Sequence, residues 1–320
     1  MRLTDEELKV ISSPVFQRLR RIKQNGLLSY VFPAATHTRF EHSVGVLFVV
    51  ESMLQAIVAN SIVANEKKEL GTDSLSAVDI RNYRHNLAFL FRTARLAALC
   101  HDLGHGPFSH AFDKFAPRRE NVAALLEADS AIVNKRLADA IRSDTGKRVA
   151  HEWMSCVLFA RLFEDLNGNV DDDTALVVAA AIHDSPELAP DPSTRSLIPL
   201  IHDLIASAPA DADRMDYVER DSRSCGVTYG LFDRDRVLKS FLCYADEGKL
   251  RLGIKSSGFR AIENFVQARF QLFVQVYYHK TNRAIELMLG KIGKIAEERD
   301  LCVMREDSLD SLIDDYVAIG

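Results

Sequence analysis

A histidine and an aspartate stand side by side at His101 and Asp102, directly after the apolar run 96–99, Leu-Ala-Ala-Leu. A neutral imidazole and a carboxylate can both reach one divalent cation from adjacent positions. Such a cation could activate a water molecule or neutralise phosphate charge. The pair therefore predicts a metal-dependent enzyme that acts on a phosphorylated substrate, with the remaining ligands supplied elsewhere in the chain.

The segment after this pair adds two more histidines. Residues 103–110 read Leu-Gly-His-Gly-Pro-Phe-Ser-His, and their glycines and proline end the preceding helix while allowing side chains to converge on one centre. The alternative is that His101 and Asp102 only cap that helix. Capping explains one polar residue but leaves His105 and His110 unexplained. The run therefore favours a site that carries chemistry.

A second histidine segment, 35–43 (Ala-Thr-His-Thr-Arg-Phe-Glu-His-Ser), leads into an apolar helix. A histidine that faces the interior there, such as His42, is more often a satisfied core residue than a metal ligand. Arg39 favours the functional interpretation because a guanidinium suits phosphate oxygens.

Two later helices carry acids, cations and aromatic rings on shared faces. Helical spacing over 211–221 groups acids with arginines and a tyrosine, but a surface ion-pair ladder would look the same. An acid there gains weight only if the metal lacks a fourth ligand. Arg269, Phe273 and Tyr277 recur every four residues, which indicates a core position for Phe273. Arg269 and Tyr277 offer a cation and a flat polar ring that suit a nucleotide.

The composition is that of a soluble globular chain of 320 residues with 47% hydrophobic residues. The formal net charge of −5 argues against a protein that coats nucleic acid, although a local basic pocket stays open. Five cysteines without paired spacing indicate neither a disulfide framework nor a thiolate zinc site. The N-terminus lacks a signal segment and no apolar stretch approaches the roughly 20 residues of a membrane span. We expect a cytoplasmic protein without a membrane partner.

Periodicity predicts an all-α fold with one small β element. The predicted helices span 14–24, 43–65, 78–99, 120–142, 149–165, 173–184, 195–207, 211–224 and 257–289. The one credible hairpin joins 240–244 to 249–254 around Asp246-Glu247-Gly248. We expect a single domain over 1–320, with 290–320 as a helical C-terminal extension.

Taken together, these motifs resemble the HD-domain superfamily, and within it the deoxynucleotide triphosphohydrolases. The resemblance covers about 14–280, and its motifs occur in the family's order. They are 16–24 (FQRLRRIKQ), 31–33 (VFP), 37–46 (HTRFEHSVGV), 101–110 (HDLGHGPFSH) and 213–221 (DRMDYVERD).

The resemblance implies a divalent metal ion, drawn from Mn, Fe, Co, Ni, Zn or Mg, on two nitrogen and two oxygen ligands. Those ligands are His42, His101, Asp102 and Asp213. It also implies a catalytic group in which a histidine beside an acid positions or protonates groups at the α-phosphate. That group is His110, Asp113 and His151, with His105 beside it.

A deoxynucleoside triphosphate is the substrate that the resemblance implies. The residues matching positions that grip the triphosphate are Arg39, His105, Arg214, Tyr217 and Arg269. Those matching the sugar pocket are Gln24, Asp221 and Tyr277, where an aromatic wall against C2′ excludes ribonucleotides. Water would attack the α-phosphorus and release deoxynucleoside and intact triphosphate.

Several residues depart from the family's pattern. Residues 12–13 are serines where activator-binding members carry an acid that reads guanine, although Gln17 and Arg20 are present. Asn25 replaces an apolar residue beside the sugar, and Phe273 replaces a polar residue of the substrate pocket. A nucleotide activator stays among the implied ligands, while base and sugar preference stay open.

The resemblance also implies a homo-oligomer, with a setting in nucleotide-pool control or antiviral defence against phage. One alternative is an HD phosphodiesterase or nuclease acting on a nucleotide signal or single-stranded nucleic acid, although the missing basic excess disfavours long polymers. Another is a nucleotide-sensing effector subunit without turnover. A second pair, His183-Asp184, would permit a dinuclear centre if it faced the first site; otherwise it marks a helix end.

Overall fold

A computed structural model describes residues 2–67, 87–129, 132–168, 172–299 and 304–319. Its α-helices are α1 (Asp5–Ser12), α2 (Pro14–Gln17), α3 (Arg39–Lys67), α4 (Leu87–Cys100), α5 (Arg119–Ala128), α6 (Ile132–Ser143), α7 (His151–Asn167), α8 (Asp172–His183), α9 (Pro192–Ala206), α10 (Ala212–Ser224), α11 (Arg234–Leu238), α12 (Phe259–Leu272), α13 (Lys280–Glu298) and α14 (Leu309–Ala318). Its strands are β1 (Phe241–Asp246) and β2 (Lys249–Ile254). The predicted class, mainly helical with a small hairpin, is confirmed.

The hairpin forms where the turn signal predicted it. β1 and β2 pair antiparallel, from Phe241 opposite Ile254 to Asp246 opposite Lys249. Glu247 and Gly248 make the turn with φ of 46° and 80°, the positive values that two-residue hairpins require.

Several helix boundaries differ from the predicted ones. α2 stops at Gln17 and a 3-10 turn, Arg18–Arg21, replaces the rest of the predicted helix 14–24. The predicted helix 120–142 is divided into α5 and α6. Of the predicted helix 78–99, the structure describes α4, and residues 78–86 lie outside the described part of the chain.

The predicted helix 257–289 is also divided, at a point that matters for the site. Phe273–Tyr277 forms a π-helical turn after α12, and Tyr278 leaves the helical conformation at φ −87° and ψ 16°. Asn282 stabilises the break because its Nδ2 donates to the carbonyl oxygen of Tyr277 at 3.3 Å. Wide turns of this kind are frequent at functional sites. A helical period in the sequence does not reveal such a local widening.

One contiguous core runs from Val10 near the N-terminus to Tyr316 in α14. α8 is buried on nearly every side, with Ala175 to Ile182 all buried, so the other helices pack around it. α3 contributes a second buried stripe, including Val46, Val50 and Met53. Burial of this apolar surface is what holds the ends of α3, α4 and α10 near one another.

The first part of α3 corrects one expectation. Its residues Arg39–Asn60 form a 22-residue apolar helix with a mean hydropathy of 1.6 in its most apolar window, long enough to cross a membrane. Half of that window is buried inside the fold, and core helices pass the same test of length and composition. The helix here is a core element that carries site residues on its first turn.

A buried arginine ties the N-terminal segment to the loop after α4. The Arg18 guanidinium, with only 1% of the residue exposed, donates to the carbonyl oxygen of His105 at 2.8 Å and to that of Leu103. Its carbon lies 5.5 Å from the centre of the Tyr316 ring. Burial lowers the pKa of Arg18 to about 10. The loop that follows the His-Asp pair is therefore held from behind by a fixed cation.

We expect Arg18→Met to lower the free energy of unfolding by about 2–4 kcal/mol, because two buried carbonyl groups lose their donor. Urea unfolding followed by circular dichroism measures the change. Arg21→Met, at an exposed position of the same turn, should stay within about 0.5 kcal/mol of the unsubstituted protein. Equal losses in the two variants would contradict the role given to Arg18.

Candidate metal centre and active site

Three helix ends bring together the four predicted metal ligands. His42 lies in the first turn of α3, His101 and Asp102 follow α4, and Asp213 lies in the first turn of α10. His42 Nε2 is 2.9 Å from Asp213 Oδ1 and 3.6 Å from Asp102 Oδ2. His101 Nε2 is 3.4 Å from Asp102 Oδ1 and 3.9 Å from Asp213 Oδ1. His42, His101 and Asp102 thus each place a potential ligand atom within 4.8 Å of the others, and Asp213 lies beside the two histidines.

Both histidines are oriented in the way that metal-binding histidines usually are. His42 Nδ1 lies 2.8 Å from Asp216 Oδ2, and His101 Nδ1 lies 2.7 Å from the carbonyl oxygen of Ala98. Because each partner accepts, each Nδ1 carries the proton and each Nε2 presents its lone pair. Both Nε2 atoms are buried without a hydrogen-bond partner. A divalent cation fits this donor set and would satisfy both nitrogens.

The negative charge buried at this centre also favours binding of a cation. Burial alone would raise the pKa of Asp102, but Arg39 and the neighbouring histidines hold it well below its usual range. Burial lowers the pKa of His42, yet Asp213 and Asp216 outweigh burial and raise it to about 10. Asp102 is therefore held in its ionised form, and a proton or a metal ion at His42 would balance the negative charge around it.

Asp216 is a functional residue that sequence reasoning missed. Besides His42, it binds the guanidinium of Arg220 through both oxygens, at 2.7 and 2.8 Å. A side chain at Gly45 would collide with this carboxylate, so glycine is needed on the facing turn of α3. The signal was present in the spacing, since Asp216 lies one turn after Asp213 and one turn before Arg220.

The loop after the His-Asp pair is packed tightly enough to fix its histidines. Gly104 has no room for a Cβ against the start of α7, and its N–H donates to Ser155 Oγ at 2.8 Å. Phe108 and Ser109 adopt φ of 67° and 55°, a left-handed conformation that is strained for such residues. Ser109 Oγ donates to the carbonyl oxygen of Gln24 at 2.9 Å, which holds the strained turn in place.

The predicted catalytic residues form a second cluster beside the metal ligands. The His105 and His151 rings stack at 3.8 Å, and His110 contacts them at 4.8 and 5.1 Å between ring centres. Asp113 Oδ2 lies 3.5 Å from His151 Nδ1 and 3.8 Å from His110 Nδ1. His105 Nε2 lies 3.4 Å from Asp102 Oδ1, which links the two clusters.

The pKa values of His151 and His105 are shifted in opposite directions. Burial would raise the pKa of Asp113, but His110 and His151 lower it to about 2. Burial lowers the pKa of His151, while the nearby carboxylates of Asp113 and Glu152 raise it above its usual value. Burial and Arg39 hold the pKa of His105 well below its usual range. His151 therefore holds a proton more readily than an ordinary histidine, and the adjacent His105 holds one less readily.

A cavity of about 600 Å³ opens onto both clusters. The predicted substrate residues that line it are Gln24, Arg39, Tyr217, Asp221 and Tyr277. Phe273, expected in the core, also lines it. The guanidinium of Arg39 is already engaged, because Nη1 donates to Asp102 Oδ2 at 2.5 Å and Nε donates to Ser109 Oγ at 3.3 Å.

Two predicted phosphate-binding arginines do not line this cavity. Arg214 pairs with Asp211, the residue that caps the N-terminus of α10. Arg269 Nε donates to the hydroxyl of Tyr217 at 2.7 Å, and its guanidinium lies over the ring of Phe273 at 4.7 Å. Arg269 thus holds two residues that line the cavity, whereas Arg214 is engaged with the N-terminal cap of α10.

The sugar-side residues form a short hydrogen-bonded chain. Tyr277 donates to Asp221 Oδ2 at 2.5 Å, and His37 Nε2 lies 2.6 Å from Asp221 Oδ1. The sequence motif 37–46 includes His37, but no role was predicted for this residue. The chain fixes the ring of Tyr277 as part of the cavity wall.

The second His-Asp pair does not join this site. His183 stacks on Trp153 at 3.7 Å, and its Nδ1 lies 3.1 Å from Ser185 Oγ. Among the described residues, the groups that could hold a metal ion are His42 with His101 and Asp102, and the three histidines of the second cluster.

Comparisons with known proteins agree with this geometry. No family model matches the chain. A putative HD domain-containing protein of Acanthamoeba polyphaga mimivirus is 28% identical over 98% of this chain and 62% of its own length. The deoxynucleoside triphosphate triphosphohydrolase SAMHD1 of Homo sapiens is 28% identical over 88% of this chain and 41% of its own length. The chain is therefore similar to HD-domain proteins and, among them, to dNTP triphosphohydrolases.

Other similar proteins have no named activity. The uncharacterized protein YwfO of Bacillus subtilis is 30% identical over 88% of this chain and 50% of its own length. The solved structure of a hypothetical protein from Aquifex aeolicus superimposes with a TM-score of 0.62 at 26% identity, covering 99% of this chain and 66% of that one. The chain spans about half the length of the curated relatives it matches.

Asp213→Ala should abolish metal binding while leaving the helical content of the protein unchanged, because Asp213 is part-exposed and would supply one ligand. Asp216→Asn should weaken binding by about 10–100-fold, since it only orients His42. Metal content after dialysis, measured by inductively coupled plasma mass spectrometry, checks both. Asp139→Asn, at a side chain that is 83% exposed, is the control. Full metal retention by Asp213→Ala would refute the ligand set.

Proposed function

We propose that the protein is a metal-dependent phosphohydrolase that cleaves a deoxynucleoside triphosphate into deoxynucleoside and triphosphate. One observation carries the proposal: a single cavity is lined by proposed metal ligands, by the histidine cluster, and by the Asp221–Tyr277 pair. A phosphate, a proton donor and a sugar could therefore meet there at once. The names of the relatives support the same reaction class.

A divalent cation, when held by His42, His101, Asp102 and Asp213, would supply positive charge against phosphate oxygens and lower the pKa of water. The chain contributes the rest. Arg39 compensates the buried charge of Asp102 and keeps that ligand ionised. The stacked histidines border the same space and exclude bulk water from one side of it.

His151 and His110, which both lie beside Asp113, are the proposed proton donors. As water adds to the α-phosphorus, the bond from phosphorus to the 5′-oxygen breaks, and that oxygen needs a proton. An imidazolium held by Asp113 can provide it, since His151 keeps its proton above the ordinary histidine pKa. His110 is more exposed and shares the same carboxylate, so it completes the donor group.

The sugar is assigned to the wall formed by Tyr277, Asp221 and Gln24. The Tyr277 ring is held by the hydrogen bond from its hydroxyl to Asp221, which leaves a flat face along the cavity. Gln24 Oε1 is buried without a partner and can accept a hydrogen bond from a sugar hydroxyl. A fixed aromatic wall leaves little space for a 2′-hydroxyl, which favours deoxynucleotides.

The product assay tests this proposal directly. Manganese-loaded protein is incubated with each deoxynucleotide, separately and in mixtures, and phosphorus products are separated by chromatography or 31P NMR. We expect tripolyphosphate and deoxynucleoside. Monophosphate with diphosphate, or no turnover with any nucleotide or mixture, would refute the proposal. Turnover only in mixtures would indicate that an activator nucleotide is needed.

Asp113→Asn should move the alkaline limb of the pH–rate profile to lower pH. The carboxylate raises the pKa of His151, so the acid stays protonated as pH rises; the neutral amide removes that support. We expect an activity loss of about 10–100-fold at pH 8 and a smaller one at pH 6. Asp139→Asn is the matched control. An unchanged alkaline limb would exclude His151 as the acid.

A two-metal phosphodiesterase is the second candidate, on one observation. Ring nitrogens of His105, His110 and His151 lie within 4.8 Å of one another, so this cluster has the composition of a second metal site. Two bound metal ions per chain and cleavage of a phosphodiester would favour it. One metal ion and tripolyphosphate release would favour the triphosphohydrolase.

The assembly and setting follow as further proposals. We propose a homo-oligomer, supported by exposed apolar side chains on α12 and α13 such as Phe270, Leu287 and Met288. Light scattering measures its size. A cytoplasmic role in nucleotide-pool control or antiviral defence is consistent with the proposed reaction, and manganese is the first cation to test.

A further inference from the structure

The first two turns of α13 form a polar wall of the cavity that the proposed chemistry does not use. Asn282, Arg283 and Glu286 all line the cavity. α13 packs against the 3-10 turns Gly26–Tyr30 and Ser109–Lys114, so this wall faces the segment that follows Asn25. The four proposed metal ligands come from other elements, α3, α10 and the end of α4.

Asn282 is built into this wall with one atom left unpaired. The residue is only 4% exposed. Its Nδ2 donates to Glu286 Oε1 at 2.9 Å and to the carbonyl oxygen of Tyr277 at 3.3 Å. Because both partners can only accept, the orientation of the amide is determined, and Oδ1 is the atom left over. Oδ1 is buried and has no hydrogen-bond partner.

The neighbours of Asn282 keep it in this orientation. Glu286 Oε2 accepts from Arg283 Nη1 at 2.7 Å, which neutralises the carboxylate that holds Asn282. The three side chains thus form an ordered set on successive turns of one helix. Burying Asn282 Oδ1 without a hydrogen-bond donor costs free energy, because the buried carbonyl loses its hydration. A ligand that supplies an N–H would remove that cost.

A complementary group lies in the same cavity. Asn25 lines it, and Asn25 Nδ2 is buried without a partner. Besides Gln24, whose Oε1 is assigned to the sugar, the lining residues of the cavity thus include an unpaired acceptor, Asn282 Oδ1, and an unpaired donor, Asn25 Nδ2. The edge of every nucleobase carries an N–H next to an acceptor atom, and amide side chains are a common partner for such edges.

We infer that Asn282 and Asn25 bind the edge of the nucleobase, with Glu286 and Arg283 holding Asn282 in position. This assignment rests on the proposed function, which directs the triphosphate to the metal ligands and the sugar to Tyr277. The opposite end of the nucleotide then reaches the start of α13, which follows Tyr277 directly. The ligand class is a nucleobase attached to a deoxyribose, and sugar or polyphosphate alone would leave both amides unpaired.

The test compares three probes on metal-loaded protein: the four deoxynucleotides, the four deoxynucleosides and inorganic tripolyphosphate. KM and kcat are measured for each probe that is turned over. For a probe that is not turned over, isothermal titration calorimetry measures Kd. Asn282→Ala should raise KM or Kd of the nucleotides about 10-fold and narrow the differences among the four bases. The inhibition constant or Kd of tripolyphosphate should stay within about 2-fold, since it lacks a base.

A second variant and a control keep the test independent of folding. Asn25→Leu leaves the contacts of α13 intact and should weaken nucleotide binding in the same direction. Asn121→Leu, at an asparagine on the exposed surface, should change nothing. Unchanged KM or Kd values for all four nucleotides in both cavity variants would overturn the inference. An equal loss for tripolyphosphate would overturn it as well, because it would show general damage to the cavity.

Deoxynucleosides distinguish failure of this inference from failure of the proposed function. If the protein neither cleaves nor binds deoxynucleotides, but binds deoxynucleosides in a way that Asn282→Ala weakens, the base site stands and the triphosphohydrolase proposal fails. If tripolyphosphate is produced while both asparagine variants behave as the unsubstituted protein, the reaction stands and the base site fails.

Discussion

The buried carboxylate of Asp102 is the constraint on which the rest of the site depends. Only 4% of the residue is exposed, and a buried charge destabilises a fold unless opposite charge is brought against it. Arg39 and His42 reach it from the start of α3, while His101 and His105 reach it from the loop after α4. These helix ends must therefore meet, and their meeting creates the metal centre.

Residues behind the centre determine where its lone pairs point. Asp216 holds His42 and the carbonyl of Ala98 holds His101, each through Nδ1, so both Nε2 atoms face the carboxylates. Arg18 holds the loop through its carbonyl groups. Gly45 contributes by having no side chain where the Asp216 carboxylate lies. The geometry of the proposed ligands is thus imposed by groups that do not line the cavity.

The cavity has two chemically different ends, and this asymmetry suits an elongated, partly charged ligand. One part of its lining gathers carboxylates and imidazoles whose nitrogens lack partners, and another contains the unpaired amide groups of Asn282, on α13, and Asn25. The hydrogen-bonded pair of Tyr277 and Asp221 also lines the cavity. The π-helical turn Phe273–Tyr277 places that wall, because it ends α12 and lets α13 start in a new direction.

Composition and residue spacing alone predicted the helical class, the hairpin turn and the histidine-acid segments. These are local properties: helical period, turn chemistry and the identity of potential ligands all act over a few residues. Tertiary structure decided which of the candidates converge. It brings His42 against Asp213 across more than half of the chain and pairs Arg39 with Asp102. It also pairs Arg214 and Arg269 with residues other than a phosphate, and it leaves Asn282 Oδ1 without a hydrogen-bond partner. Pairing between distant side chains depends on how helices pack around the core, and no local pattern encodes that packing.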